Sequence, residues 1–461
     1  MNTEILINVT AGEVRVAELH DGVLQELLVE RSSHTSLFGN IYKGRVVRVL
    51  PGMQAAFIDI GMQRTAFLHA SDAQPNDAES AEVDIRDLLR DGDMVMVQIV
   101  KEPIGDKGAR LTTQISLPSR YLVMMPGRPT VGVSSRIEDS DERERLHQLV
   151  AAEVGSEHGF IVRTAAEGSA AEILHADISY LKKLWAVVSA DAEACCGIEN
   201  IHTEQPLALR VIRDISSQTV DRIRVDSNEC FQEIVGFTQT FMPYSPNIEL
   251  YESRLPIFDL YAVEDEINRA LDRSVPLKSG GYLIIEQTEA MSTIDVNTGA
   301  FVGRSNQEET IYRTNLEAAD AIARQLRLRN LGGIIILDFI DMQSEKHRQH
   351  VLTTLETSLN EDSARNQISH VSPLGLIEMT RRRTRESLEQ ILCASCKVCG
   401  GLGHVKTAET VCYEICREIL RQYRQFPGSA FIVIAHDDVI EMLLDDESHI
   451  LLSLDESIRR S

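Results

Sequence analysis

GYLIIEQTEAMSTIDVNTGAFVGR (residues 281–304) and NLGGIIILDFIDM (residues 330–342) carry two apolar runs rich in β-branched residues, and each run ends in aspartate. The first closes as Ile294-Asp295-Val296-Asn297. The second closes as Ile336-Leu337-Asp338-Phe339-Ile340-Asp341. Between them, Glu308 to Arg329 places Ile311, Leu316, Ala319, Ile322, Ala323 and Leu326 at helical spacing. Gly332 and Gly333 are expected to end that helix before the second strand. Strand, helix and strand in this order put neighbouring strands in one buried sheet, with Asp295 and Asp338 at one edge. Two carboxylates with the nearby amide of Asn297 suit a hard cation such as magnesium, which takes oxygen ligands and keeps waters for a phosphate. Beside this stands a blander reading, in which a strand-end aspartate only serves a turn.

The chain has 461 residues, of which 43% are hydrophobic and 25% charged, enough for a large core and two to four domains. No apolar run approaches the ~18–20 residues of a membrane helix. The start, MNTEILINVTAGEVRVAEL, alternates like a strand pair and lacks the build of a signal peptide. Eight cysteines without a secretory start predict reduced thiols and a cytoplasmic protein. The net charge, 46 − 70 = −24, argues against a broadly basic face for nucleic acid. Basic residues do gather between Arg324 and Arg385, so a local basic groove beside the aspartates is expected.

Residues 1 to about 35 read as strands turning at Ala11-Gly12 and Asp21-Gly22. From Ser36 to Ile115, five short strands separated by glycine-containing turns predict a small barrel. Phe57 and Phe67 flank its Gly61 turn, either stacking on bases or filling the barrel. The acidic stretch Asp72 to Asp87 reads as a solvated loop. Gly159 to Ala165 is a strand ending in Arg163-Thr164, a guanidinium fork and a hydroxyl suited to a terminal phosphate, or else a solvated arginine. Residues 165 to 210 look helical around Leu181, Leu184, Trp185 and Val188, and Cys195-Cys196 reads as packing. Further helices are expected at 262–272 and 344–360. The Arg381-Arg382-Arg383 run is either a solvated face or a polyanion contact.

Cys393-Ala-Ser-Cys396-Lys-Val-Cys399-Gly-Gly-Leu-Gly-His404 has the turn shape of a zinc knuckle. A lone pair of thiolates is half of a structural zinc site. Cys393 and His404 can complete it within one chain, and the spacing also echoes an iron–sulfur pattern that lacks its fourth cysteine. Downstream, Ala408 to Tyr423 reads as a helix with Cys412 and Cys416 on its core face. Ala430 to Ala435 reads as a buried strand, and Val439 to Leu444 as a helix.

The phrases IDVNTG, NLEAADAIARQLRLRNLGG and IIILDFIDM closely resemble the bacterial ribonuclease E/G family, with a likeness from the N-terminus to about residue 415. The absence of a long disordered tail is more similar to the G branch. The resemblance implies a multidomain α/β fold with an inserted OB-fold β-barrel. Residues 1–35 and 209–270 would form a discontinuous RNase H-like subdomain, 36–117 the OB-fold RNA-binding domain and 118–208 a 5′-phosphate sensor. Residues 271–392 would form a deoxyribonuclease-I-like catalytic subdomain, 393–405 a zinc link and 406–461 a small α+β domain. Family members continue with more strand where this chain ends in DESIRRS, so the small domain is expected to be incomplete.

The function implied is a magnesium-dependent endoribonuclease that hydrolyses single-stranded RNA to 5′-phosphate products and is stimulated by a 5′-monophosphate. Ribosomal and transfer RNA precursors and messenger RNA would be its substrates, in processing and decay. Asp295, Asp338 and Asn297 match the catalytic positions, the two aspartates holding magnesium. Arg163 and Thr164 match the 5′-phosphate pocket, with Val123 as its backbone contact. Phe57, Phe67 and Lys107 match RNA contacts on the barrel, and Arg365 a position near the scissile phosphate. Cys396 and Cys399 would share one zinc with the same pair of another subunit, giving a homodimer. The chain departs from the family at Ser135-Arg136, where a basic pair is expected, which implies a weaker phosphate pocket. Two rivals stand beside this reading, a catalytically inactive RNA-binding scaffold and a zinc-linked structural oligomer.

Overall fold

The computed structural model describes residues 2–33, 35–73, 84–103, 108–154, 157–214, 220–241, 247–299, 307–372, 374–383, 385–426, 431–445 and 451–454. The chain divides into two compact units, Met1–Ile391 and Leu392–Ser461.

Alternating apolar residues in the first thirty positions make two hairpins, Thr3–Thr10 with Glu13–His20 and Glu13–His20 with Val23–Arg31. Asp21 and Gly22 both have positive φ, 47° and 79°, the geometry a two-residue hairpin turn requires. The free edge of Thr3–Thr10 takes Arg222–Val225 in parallel, and Asn247–Leu250 follows outside it. Two stretches some two hundred residues apart in sequence thus share one sheet.

Five strands close into a barrel, in the order Ile41–Leu50, Ala55–Asp59, Ala66–His69, Arg110–Thr112, Met94–Lys101 and back to Ile41–Leu50. This closed five-stranded sheet is consistent with an OB-fold. Val46, Ala56, Ile58, Ala66, Leu68, Val97 and Ile99 fill it. Of the expected acidic loop, Ala70–Ala73 and Ile85–Leu88 are short helices. Asp72 is not merely solvated, because it pairs with Arg110 at 2.7 Å and its carbonyl accepts from Thr112. A further sheet, Val131–Val133, His158–Val162, Leu122–Pro126 and Leu117–Pro118, packs against helices Ser140–Glu153 and Ala171–Ala194. The long helix expected over 165–210 is narrower. It stops at Ala194, a strand at Glu199–His202 joins the barrel, and helix Leu207–Asp214 follows.

The sheet that carries the aspartates runs Ser274–Pro276, Tyr282–Gln287, Met291–Asn297, Gly333–Asp338, Ile377–Arg381, Asn366–Val371. Helices Gln307–Leu328 and Glu345–Leu359 cover one face, where Ile294, Val296, Ile335 and Leu337 meet Ala319, Ile322, Ala323, Leu326 and Leu355. The connecting helix does not end at the glycines. Asn330 takes the left-handed turn (φ 48°), and the Leu331 N–H reaches back to the Leu326 carbonyl at 3.1 Å. Asparagine tolerates that conformation, and its side chain holds the turn by donating to the carbonyls of Arg385 and Glu386, both at 3.0 Å.

In the second unit, helices Ala408–Gln425 and Asp437–Leu444 pack around Cys412, Cys416, Val439 and Leu443. The buried strand expected at 430–435 is not formed. Residues 431–435 have no strand partner among the described residues, and Ile432 and Ile434 are 90% and 93% exposed. An apolar run becomes a strand only where another strand takes its backbone hydrogen bonds. Ala430 lies outside the described residues. Among the described residues, no helix is long and apolar enough to cross a membrane.

Candidate active site

Met291–Asn297 and Gly333–Asp338 run parallel, and their register sets Asp295 directly beside Asp338 at the carboxyl edge. Strand alternation turns both carboxylates to the face that the helices leave open, and both are exposed. The Asn297 amide donates to Asp295 Oδ2 at 2.9 Å. The Asp338 carboxyl is raised above its ordinary range by desolvation and then by the negative charges of Asp295 and Asp341. Past Asn297 the backbone lies tight on the preceding turn. Gly299 has φ 56°, and a Cβ there would sit 2.4 Å from the Gly280 carbonyl.

Two features of this edge escaped the sequence reading. Asn315, fully buried on the connecting helix, donates to the Ile340 carbonyl at 2.8 Å and accepts from the Ile340 N–H at 3.2 Å. It fixes the segment between Asp338 and Asp341. Its signal was a polar amide on a helix face that also carries Ala318, Ala319 and Ile322. The second is a ring cluster: Tyr312 stacks on His347 at 4.1 Å and its hydroxyl bonds His350. The sequence showed no histidine pair, because these rings meet only when the two helices pack.

The expected basic groove is largely spent on structure. Arg381 is buried and donates to both oxygens of Asp362 (2.6 and 3.0 Å), to Asn330 Oδ1 and to the Leu331 carbonyl. It is therefore a core ion pair and not a polyanion contact. Arg324 pairs with Glu266, Arg327 with Glu361, Arg348 with Glu345 and Arg385 with Glu26. Arg365 is exposed but stands away from the carboxylates. The adjacent Asn366 pairs with Arg381, which pairs with Gly333, five residues along the strand from Asp338, or about 16 Å. The register therefore sets Arg365 toward the Gly333 end of the sheet. It lies two residues beyond Ser363, whose carbonyl accepts from Arg136 at 3.4 Å.

Arg163 follows strand His158–Val162, with Val123 on the neighbouring strand paired to Ile161 and Pro118. Its Nη1 donates to the Ser119 carbonyl at 2.6 Å and lies 2.8 Å from Asp214 Oδ1. Thr164 is exposed, and its hydroxyl lies 3.2 Å from that of Ser134. Beneath them Asp177 accepts from the Ser119 hydroxyl and the Tyr121 N–H. Burial pushes its carboxyl up to about 6 against those bonds.

On the barrel, Phe57 and Phe67 are register partners with ring centroids 6.1 Å apart, edge to face. Their inward neighbours Ala56, Ile58, Ala66 and Leu68 form the core, so the two half-buried rings lie on the outer face. Arg48 and Arg110 flank them on the adjoining strands. Lys107 lies outside the described residues.

In the second unit the Cys396 thiol is lowered by the backbone N–H groups of Cys399 and Val398 and by the Cys399 side chain. Cys399 Sγ also accepts from the Gly403 N–H at 3.4 Å. Cys393 and His404 are exposed. Among the described residues, no group of three or more His, Cys, Asp or Glu side chains is arranged to hold a metal.

Residues 116–384 match the profile of the Ribonuclease E/G family. The chain is 53% identical to Ribonuclease G of Salmonella typhimurium (strain SL1344), over 99% of this chain and 95% of that protein. It is 52% identical to Ribonuclease G of Haemophilus influenzae, over 97% and 93%. With Ribonuclease E of Escherichia coli (strain K12) the identity is 40%, over 90% of this chain and 40% of that longer protein.

Proposed function

The chain belongs to the ribonuclease E/G family, and we propose that it is a magnesium-dependent endoribonuclease whose metal-holding carboxylates are Asp295 and Asp338. Endoribonuclease activity rests on the high identity to proteins named Ribonuclease G. The observation that carries the site is the register pairing of the two aspartates at an open strand edge. Two adjacent carboxylates of like charge, exposed side by side, suit a divalent cation. A site of only two carboxylates fits magnesium, which takes one or two and keeps waters and substrate phosphates as its other ligands. When bound, that ion would polarise the phosphodiester and lower the pKa of a water. Asn297 holds Asp295 in place through its amide. Asn315 holds the loop beyond Asp338, so the edge is preorganised before RNA arrives.

The rest of the reading assigns the RNA path. Phe57 and Phe67 offer outward rings for base stacking, with Arg48 for the backbone and Lys107 as a further contact. Arg163 and Thr164, with Val123 beside them, receive a 5′-monophosphate. Arg365, near Arg136, contacts RNA on this sensor side and not at the scissile bond. Cys396 and Cys399 are half of a zinc site completed by a second copy, giving a dimer. Substrates are single-stranded regions of ribosomal and transfer RNA precursors and messenger RNA, in the cytoplasm. In this reading residues 1–35 with 209–270, 36–117, 118–208, 271–392, 393–405 and 406–461 are the RNase H-like, OB-fold, sensor, catalytic, zinc-link and small domains.

The test is cleavage of a short single-stranded RNA with magnesium, by wild type and Asp295→Asn. Cutting by wild type alone supports the site. Cutting that survives Asp295→Asn places the chemistry elsewhere. RNA binding without cutting by either protein leaves a scaffold.

A further inference from the structure

Asp214 is the last residue of helix Leu207–Asp214, where the helix dipole disfavours a negative charge. It sits there between two guanidiniums, 2.8 Å from Arg163 Nη1 and 3.2 Å from Arg213 Nη2. Arg213 in turn pairs with Glu204 at 2.7 Å. Glu204, Arg213, Asp214 and Arg163 thus form a chain of alternating charges ending at the sensor arginine. Desolvation pushes the Asp214 carboxyl up, and Arg213 and Arg163 more than offset it, so it sits below its usual range. The neighbouring turn holds Arg163 and the end of that helix together. Ser119 gives its carbonyl to Arg163 Nη1, Tyr121 gives its carbonyl to the Arg163 N–H, and Arg120 reaches the Ile212 and Arg213 carbonyls at the end of the same helix.

We propose that Asp214 is a specificity-determining positioning residue for the 5′ end of the RNA. This rests on Arg163 and Thr164 being the phosphate pocket. Ser119 and Asp214 use the two hydrogens of Nη1 and leave the Nε and Nη2 donors, which have no partner among the described residues, as the edge offered to an anion. The carboxylate also cancels much of the charge on Arg163. A singly charged internal phosphodiester gains little from a guanidinium already paired. A terminal phosphate, carrying close to two charges at pH 7, still gains enough to bind. Asp214 therefore fixes the fork and sets how much negative charge is needed to engage it.

The experiment compares kcat/KM on one RNA sequence bearing a 5′-monophosphate or a 5′-hydroxyl, for wild type, Asp214→Asn, Asp214→Glu and Arg163→Ala. Asp214→Asn keeps an acceptor oxygen and removes the charge. It should raise cleavage of the 5′-hydroxyl RNA and cut the monophosphate preference by about three- to tenfold, the size of one charge-assisted contact. Asp214→Glu should restore most of the preference. Arg163→Ala should abolish the preference by the other route, through loss on the monophosphate RNA alone. A wild-type preference that Asp214→Asn leaves unchanged overturns the proposal and spares the sensor. No preference in wild type overturns both. Should Asp214→Asn melt early, Asp214→Ser, which also removes the charge, takes its place, and a monophosphate preference that it leaves unchanged likewise overturns the proposal.

Discussion

The Gly333–Asp338 strand has opposite charge arrangements at its two ends. At the Gly333 end, Arg381 and Asp362 are both buried and cancel each other within the core. At the other end Asp295 and Asp338 are exposed, alike in charge, and side by side. A buried pair must be complete, because removing one partner strands the other in a low dielectric. An exposed like-charged pair is relieved only from solution, by a proton or a cation. One sheet thus keeps its closed end for folding and its open end for chemistry, and the burial of each carboxylate tells the two apart.

The sharpest way to break this contrast is to remove one acid from each end. Asp362→Ala should lower the unfolding free energy by about 3–5 kcal/mol in urea denaturation, since Arg381 is left without its charge partner. Asp338→Asn should leave the urea midpoint unchanged or slightly higher. Equal losses would mean that the two ends do not differ as described. In a cleavage assay the ranking inverts among folded proteins. Asp338→Asn should reduce kcat/KM by about a hundredfold or more, through loss of an oxygen that holds the metal, and activity persisting near wild type would remove Asp338 from the site.

Asp177 tests a third arrangement, a buried carboxylate whose hydrogen bonds and nearby Arg163 charge are outweighed by desolvation. Its folded value of about 6 lies above the ordinary 3.8, so between those values the folded state binds the proton more readily than the unfolded one. Stability from this site is full below the lower value and lost as pH rises through about 6, a change of about 3 kcal/mol. Asp177→Asn should flatten that slope when denaturation midpoints are compared at pH 5 and pH 7, and an unchanged slope would assign it to other groups. The smallest effect belongs to an uncharged surface. Phe57→Ala should weaken RNA binding by about 1–3 kcal/mol in fluorescence anisotropy without lowering the melting temperature appreciably, because its ring lies outside the barrel core. A large fall in melting temperature would make the ring structural instead.

Periodicity made the aspartate edge legible. Residues 291–297 and 333–338 alternate, the helix between them has its own repeat, and a strand–helix–strand unit brings the two strands together in parallel. The same logic failed for arginines. Arg365, Arg381 and Arg382 look alike in sequence, yet Arg381 is buried in an ion pair while the others are exposed. A charged side chain's role depends on the partner opposite it, and Asp362 becomes that partner only through the pairing of Asn366–Val371 with Ile377–Arg381. Residues 431–435 read as a buried strand because composition reports β-propensity and is blind to whether a neighbouring strand exists.

Local chemistry therefore settled what is local: the hairpin at Asp21-Gly22, the strand that ends at Asp295 and the helix that spans the gap to Asp338. These follow from φ preference and from apolar spacing over a few residues. Tertiary structure alone decided which charges meet. Beyond the aspartate edge, it buried Arg381 on Asp362, moved Arg365 to the end of the sheet near Arg136, and placed Asp214 on Arg163. The physical reason is range: backbone preference acts between neighbours in the chain, whereas charge and desolvation act between neighbours in space.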